Sequence, residues 1–240
     1  VTTANTYQSA LQIVNEVQRR LGLSPTTNFE INKYSRALLD LLNDVMSEVS
    51  DFGDWPQMLK TIEVTAQSSV YAYQIAPVSG NVKNVYEIAW GDQSSPMFPI
   101  NIEEIRQRNR RISWGGTPRE YAMVGVSGAN PIFHVHPIPV TADISAQTSA
   151  GGFFDILYYE TPSILTTADS TATSIILFPA RMMVQGLYAK ALLRDNGGIP
   201  TPNYQAAFAE YQRMRSEALN RLTADTGSSI SISPTGTRWG

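Results

Sequence analysis

His134 and His136 are the two histidines of the chain, and they stand two residues apart in IFHVHPI, residues 132–138. Side chains alternate along a strand, so a strand here would put both imidazoles on one face, as a two-histidine ligand pair requires. A metal site needs a third or fourth ligand. The chain has no cysteine and no further histidine, and the carboxylates that follow, Asp143 and Asp155, stand in no ligand motif. The pair therefore reads as a partly exposed strand face ended by Pro137 and Pro139, with no metal. GVSG, residues 125–128, has the start of a nucleophile elbow, but Ala129 holds the place of its last glycine and no strand-to-helix pattern surrounds it. It reads as a turn between strands. No phosphate-binding glycine loop or dinucleotide fingerprint occurs, so the expectation is a non-enzyme with no catalytic residues, no metal and no cofactor.

The densest charged feature is RQRNRR, which places Arg106, Arg108, Arg110 and Arg111 within six residues. It ends a segment, NIEEIRQRNRR, in which Asn101 can cap a helix and Glu104 takes the capping-box position. Glu103 and Glu104 suit the positive end of that helix and the arginines its negative end, while Glu104 can pair with Arg108 one turn on. The cluster faces solvent or a neighbouring subunit, or else DNA phosphates.

The elements that must carry these residues follow from periodicity. Tyr7, Ala10, Val14, Val17 and Leu21 step by three and four, as do Ile31, Tyr34, Leu38, Leu41, Val45, Val49 and Phe52. Two helices result, joined by a short polar link that favours an antiparallel hairpin. From Leu59 to Glu160 the pattern becomes short β-branched and aromatic runs between turn residues, with the arginine-rich helix as the one interruption. FPARMMVQGLYAKALLRDNGG is apolar on most sides, which predicts a buried helix, and Tyr204, Ala207, Tyr211, Met214, Ala218 and Leu222 mark a last one. The expected fold is α+β: an antiparallel α-helical bundle from residues 1–56 and 174–224, an inserted antiparallel β domain over 57–173, and an extended C-terminal tail, 225–240.

With 240 residues and 42% hydrophobic content, the chain can bury a substantial core. Charged residues make up only 16% and the net charge is -3, which excludes the overall basic field of a non-specific nucleic-acid binder. The absence of cysteine suits assembly in a reducing cytoplasm. The first residues lack the basic start and apolar run of a signal peptide, and no stretch reaches the ~20 apolar residues of a membrane helix.

Taken in order, DWPQMLKTIEVTA, GGTPREYAMVGV, NPIFHVHPIP, FDILYYETPSIL and LFPARMMVQGLYAKALLRD resemble the head-to-tail adaptors of short-tailed phages, the type called tail tubular protein A or head-completion protein. The motifs that carry the resemblance are Gly116, Pro118 and Tyr121, then Pro137 and Pro139, then Tyr158, Tyr159 and Pro162, within a span of residues 6 to 224. In that pattern the histidine positions are apolar or variable and bind nothing. The resemblance implies a virion protein of the neck, assembled in the bacterial host cytoplasm as a homo-oligomeric ring, commonly a dodecamer. It implies as partners the portal protein, the tail nozzle or tail tube protein, tail fibres, and genomic DNA passing through the channel without sequence recognition. A mildly acidic, weakly charged ring suits such a channel, which should repel rather than hold phosphates. Family members reach the portal with their C-terminal segments, which here assigns Ile230, Ile232, Pro234, Arg238 and Trp239 to portal binding, with the Ser-Ile-Ser-Ile alternation as an added strand and Trp239 as an anchor. Two other readings compete. A carbohydrate- or receptor-binding β module would use Tyr71, Tyr73, Tyr158 and Tyr159 for stacking, and a metal-dependent hydrolase would use His134 and His136.

Overall fold

A computed structural model describes residues 7–78, 80–91, 96–111, 115–147, 152–170 and 175–226. In chain order the elements are α1 (Ala10–Arg20), α2 (Lys33–Phe52), β1 (Leu59–Thr65), β2 (Ala72–Gln74), β3 (Asn81–Trp90) and β4 (Phe98–Pro99). Then come α3 (Ile102–Arg111), β5 (Glu120–Ser127), β6 (Asn130–His136), α4 (Thr141–Gln147), β7 (Phe153–Thr161), α5 (Ala180–Asp195) and α6 (Pro202–Thr226). They form two compact units. One is drawn from residues up to Gln57 and from Pro162 onward, the other is Met58–Thr161.

In the first unit α1 starts at a capping box. Ser9 Oγ accepts from the Gln12 backbone N–H and Gln12 Oε1 accepts from that of Ser9, satisfying two otherwise orphaned donors. Asn32 caps α2 by accepting from the Ser35 N–H at 2.6 Å. Of the stripes read from the sequence, Val14 and Val17 on α1 and Leu38, Val45 and Val49 on α2 are buried, whereas Tyr7 and Ile31, which precede the two helices, are exposed. α5 is buried on several sides and packs against α1, α2 and α6 together. Gly186 makes this possible, because a Cβ there would lie 2.9 Å from Val45 Cγ1 of α2 and 2.7 Å from Tyr211 Cε2 of α6. Trp55 closes the end of α2. Its indole N–H donates to the Val49 carbonyl at 2.7 Å, and its ring meets Phe178 edge-on at 5.5 Å.

The second unit holds two sheets. In β1-β7-β3 the central β7 is antiparallel to both neighbours, and the other sheet has the order β2-β6-β5-β4. Tyr73, Ile75, Tyr121, Phe133 and Val135 meet Ile88, Trp90, Phe154 and Ile156 in one core cluster, so the sheets pack face to face. α3 lies on the far side of the second sheet, against β5 and β6.

The expected architecture needs correction. The fold is mixed, with α-helices and two sheets, and although α+β remains compatible in the broad sense, it is not an antiparallel bundle carrying an antiparallel insert and a tail. The helical unit is organised on the buried α5 rather than on paired hairpins, since a helix apolar round most of its circumference needs neighbours on every side. The β region is not wholly antiparallel, because β4 and β5 are connected through α3, and a crossover of that kind returns the chain in the same direction. A second helix, α4, interrupts the strands. At the C-terminus α6 continues to Thr226, past the expected start of the tail at residue 225, and the remainder of that tail lies outside the described residues.

Candidate functional site

Of the chemistry-bearing residues outside the tail, His134, His136 and Arg108 come together in the layer between α3 and the second sheet. β6 alternates as expected: Phe133 and Val135 point into the core and are fully buried, which turns His134 and His136 to the opposite face, under α3. α3 presents Ile105, fully buried, together with Arg108 and Asn109 to that face. Asn109 Nδ2 donates to the Val135 carbonyl at 3.2 Å, which leaves its Oδ1 to accept from His136 Nδ1–H at 2.9 Å. One asparagine thus ties the helix to the strand and sets the tautomer of the imidazole.

Burial lowers the His136 pKa, with Arg108 acting in the same direction and Glu120 against it. His134 is lowered by burial and then by the positive field of Arg106. It stands edge-on to Tyr71 at 4.9 Å, and its Nδ1 is buried without a hydrogen-bond partner. Both rings are held toward the neutral form that a metal would want. Yet among the described residues no three His, Cys, Asp or Glu side chains gather in a way that could hold one. The shared face is a packing surface joining α3 to β6.

The four arginines do not act as one group. Arg108 is engaged twice, by Glu104 of its own helix at 2.5 Å and by Glu120 of β5, and these hydrogen bonds, the Glu120 one foremost, raise its pKa. Arg106 and Arg110 lie one turn apart on the exposed side of α3 and make no ion pair with a described residue. Arg111 ends the helix, and its side chain lies outside the described residues. The tail residues Ile230, Ile232, Pro234, Arg238 and Trp239 also lie outside them. GVSG spans the end of β5 and the turn into β6, with Gly128 at φ 64 where a left-handed residue is needed. Of the four tyrosines offered for stacking, Tyr73, Tyr158 and Tyr159 are buried, and only Tyr71 is exposed.

Sequence reasoning missed Asn109 and Glu120, whose roles depend on which strand α3 covers. It also missed a cleft of about 340 Å³ in the helical unit, lined by Gln12, Glu16, Arg19 and Arg20 of α1 and by Arg181 and Val184 of α5. Glu16 pairs with Arg19 at 3.2 Å and with Arg20 at 3.6 Å, and Arg20 also donates to Gln185 of α5 at 3.0 Å. The paired arginines were visible as the last turn of a helix, but the wall opposite them comes from a segment about 160 residues later, and that contact is a matter of tertiary packing.

A model of the SU10 adaptor protein family matches residues 8–238. No curated protein matches the chain.

Proposed function

Because the chain belongs to the SU10 adaptor protein family, a family of structural phage adaptors, we propose that it forms a ring between the portal of the DNA-filled head and the tail. As an adaptor of that family it is a structural virion component that joins other virion proteins. In the proposed assembly identical subunits, twelve by the family resemblance, sit beneath the portal and offer a surface to the nozzle or tube protein and to tail fibres. DNA crosses the ring without sequence recognition, which fits a chain of net charge -3 whose charged content is low. Assembly in the host cytoplasm suits a chain without cysteine. The observation that carries this reading is the extent of the family match, which runs through both compact units.

The tail is the proposed contact with the portal, through Ile230, Ile232, Pro234, Arg238 and Trp239, ordered as an added strand with the tryptophan as its anchor. The test is the mass of the assembly formed when the full chain is mixed with the portal ring of its own phage. A discrete gain of many copies supports the connector and reports its stoichiometry, and a folded chain that never associates refutes it. Deleting residues 227–240 should abolish portal binding while the helical signal of the core persists, and binding retained by the shortened chain would remove the tail from the interface.

A further inference from the structure

The second unit presents two unlike outer surfaces, and their chemistry is complementary. The register of β1-β7-β3 places Ile62 and Val64 with Ile156 and Phe154 on the core side. Directly opposed residues share a face, so the outer side carries Thr61, Glu63 and Thr65 of β1, Phe153, Asp155, Leu157 and Tyr159 of β7, and Glu87 of β3. Glu63 stands opposite Asp155, and Glu87 stands opposite Leu157, the next residue of β7 on that face. Like charges in cross-strand contact are unfavourable unless something else meets them. No lysine or arginine holds a register position on this face, and Lys83, at a bulge of β3, already has an interaction partner.

Two further observations point outward. Asp155 Oδ1 is buried with no hydrogen-bond partner, which leaves the other oxygen of the carboxylate to meet an incoming donor. Tyr86, 57% exposed, stands edge-on to Tyr159 at 6.1 Å and extends an apolar rim beside the carboxylates. Within this unit α3 packs on the other sheet, against β5 and β6. Aromatic residues and arginine are enriched at interfaces, and unlike charges brought together there set the register of the contact.

The occupant is carried by the same chain. On the far side of the two sheets α3 turns Arg106, Gln107 and Arg110 to solvent, while Glu103 lies at the opposite end of the helix. The two arginines are about 6 Å apart along the helix axis, close to the ~5 Å spacing of neighbouring strands that separates Glu63 from Asp155. A basic helix face on one side and an acidic sheet face on the other give each copy two complementary surfaces.

We propose that copies of this chain associate head to tail through this unit, with α3 of one copy seated on the outer face of β1-β7-β3 of the next. Arg106 and Arg110 then meet Glu63, Asp155 and Glu87, and the aromatic rim excludes water around them. Contact between two different patches is heterologous and repeats from copy to copy, as a ring requires, whereas a two-fold contact would oppose like charges. The inference rests on the homo-oligomeric reading above.

The chain has no cysteine, so single cysteines report contacts directly. Thr61→Cys and Gln107→Cys, both at exposed positions that leave every charge in place, are made in separate full-length chains of distinguishable mass, mixed at low ionic strength and oxidised. The mixed Thr61–Gln107 disulfide should exceed the statistical proportion over both like pairs. Reversing Arg106 and Arg110 to glutamate in the Gln107→Cys chain should reduce it to background, and Glu63→Lys with Glu87→Lys in the other chain should restore it. Like pairs in equal or greater yield, indifference to charge reversal, or no cross-link at all would overturn the proposal. A ring that forms on the portal while these cysteines stay unlinked would sink this interface and leave the connector standing.

Discussion

Gly186 offers a measurement of how tightly the helical unit is built. Ordinary carbon contacts lie at about 3.5 Å or more, and a Cβ at this position would meet Tyr211 Cε2 at 2.7 Å and Val45 Cγ1 at 2.9 Å. In Gly186→Ala the two neighbours would have to retreat by about 0.8 and 0.6 Å on that contact distance. Neither has free space, since Val45 is 0% and Tyr211 1% exposed. Overpacking of this kind costs about 1–3 kcal/mol, and the better helix propensity of alanine returns about 1 kcal/mol. Because the squeeze comes from two helices at once, the upper part of that range applies, and the net loss should be about 1–2 kcal/mol. At ~2–4 °C per kcal/mol for a chain of this size, the helical melting transition, followed by far-ultraviolet circular dichroism, should fall by several degrees. Val45→Ala removes one of the crowded atoms, so the double variant should be less destabilised than the sum of the singles. A Gly186→Ala chain as stable as the parent, or strict additivity in the double variant, would refute the argument that this glycine exists for close approach.

Acidification should weaken the β unit before it protonates the carboxylates. Both histidines have pKa values lowered in the fold from 6.5, so as pH drops through that value the unfolded chain takes up protons first. Stability is full above the unfolded pKa and is lost as pH falls from there through the depressed folded values. Denaturant midpoints should fall across this window, and a His134→Gln/His136→Gln chain should show a flatter profile; an unchanged slope would mean the rings are not the titrating groups. Asn109→Ala removes both the donor to Val135 and the acceptor for His136 at a part-buried site. It should cost about 1–3 kcal/mol in denaturant unfolding, and a loss well under that range would show that water replaces the asparagine.

Much of the fold was legible because it is written in local periodicity. The stripe from Leu38 to Val49 predicts a helix and its buried face without knowledge of any neighbour, and the alternation of Phe133, His134, Val135 and His136 predicts a strand with both imidazoles on one side. What escaped was every feature that needs two distant segments. The parallel pairing of β4 with β5 depends on where α3 leads the chain, and the short α4 has too few residues for a helical period to stand out. The arginines show the same division. Spacing alone anticipated the Glu104–Arg108 pair one turn apart, but the capture of Arg108 by Glu120 and the tie between Asn109 and His136 appear only when α3 lies down on β5 and β6.

The sequence by itself determined the residue types at hand. Two histidines and no cysteine leave a metal site short of ligands, sparse charge excludes a broadly basic surface, and apolar periodicity marks the helices and strands. The tertiary structure decided which face each charge occupies. Arg106 and Arg108 are two residues apart, yet one faces solvent and the other is bound, and Glu63 and Asp155 are 92 positions apart, yet they stand side by side. The physical reason is that a hydrophobic stripe specifies only that an element must bury one side, whereas the partner that covers it, and so the charges left outside, is chosen by packing between segments far apart in the chain.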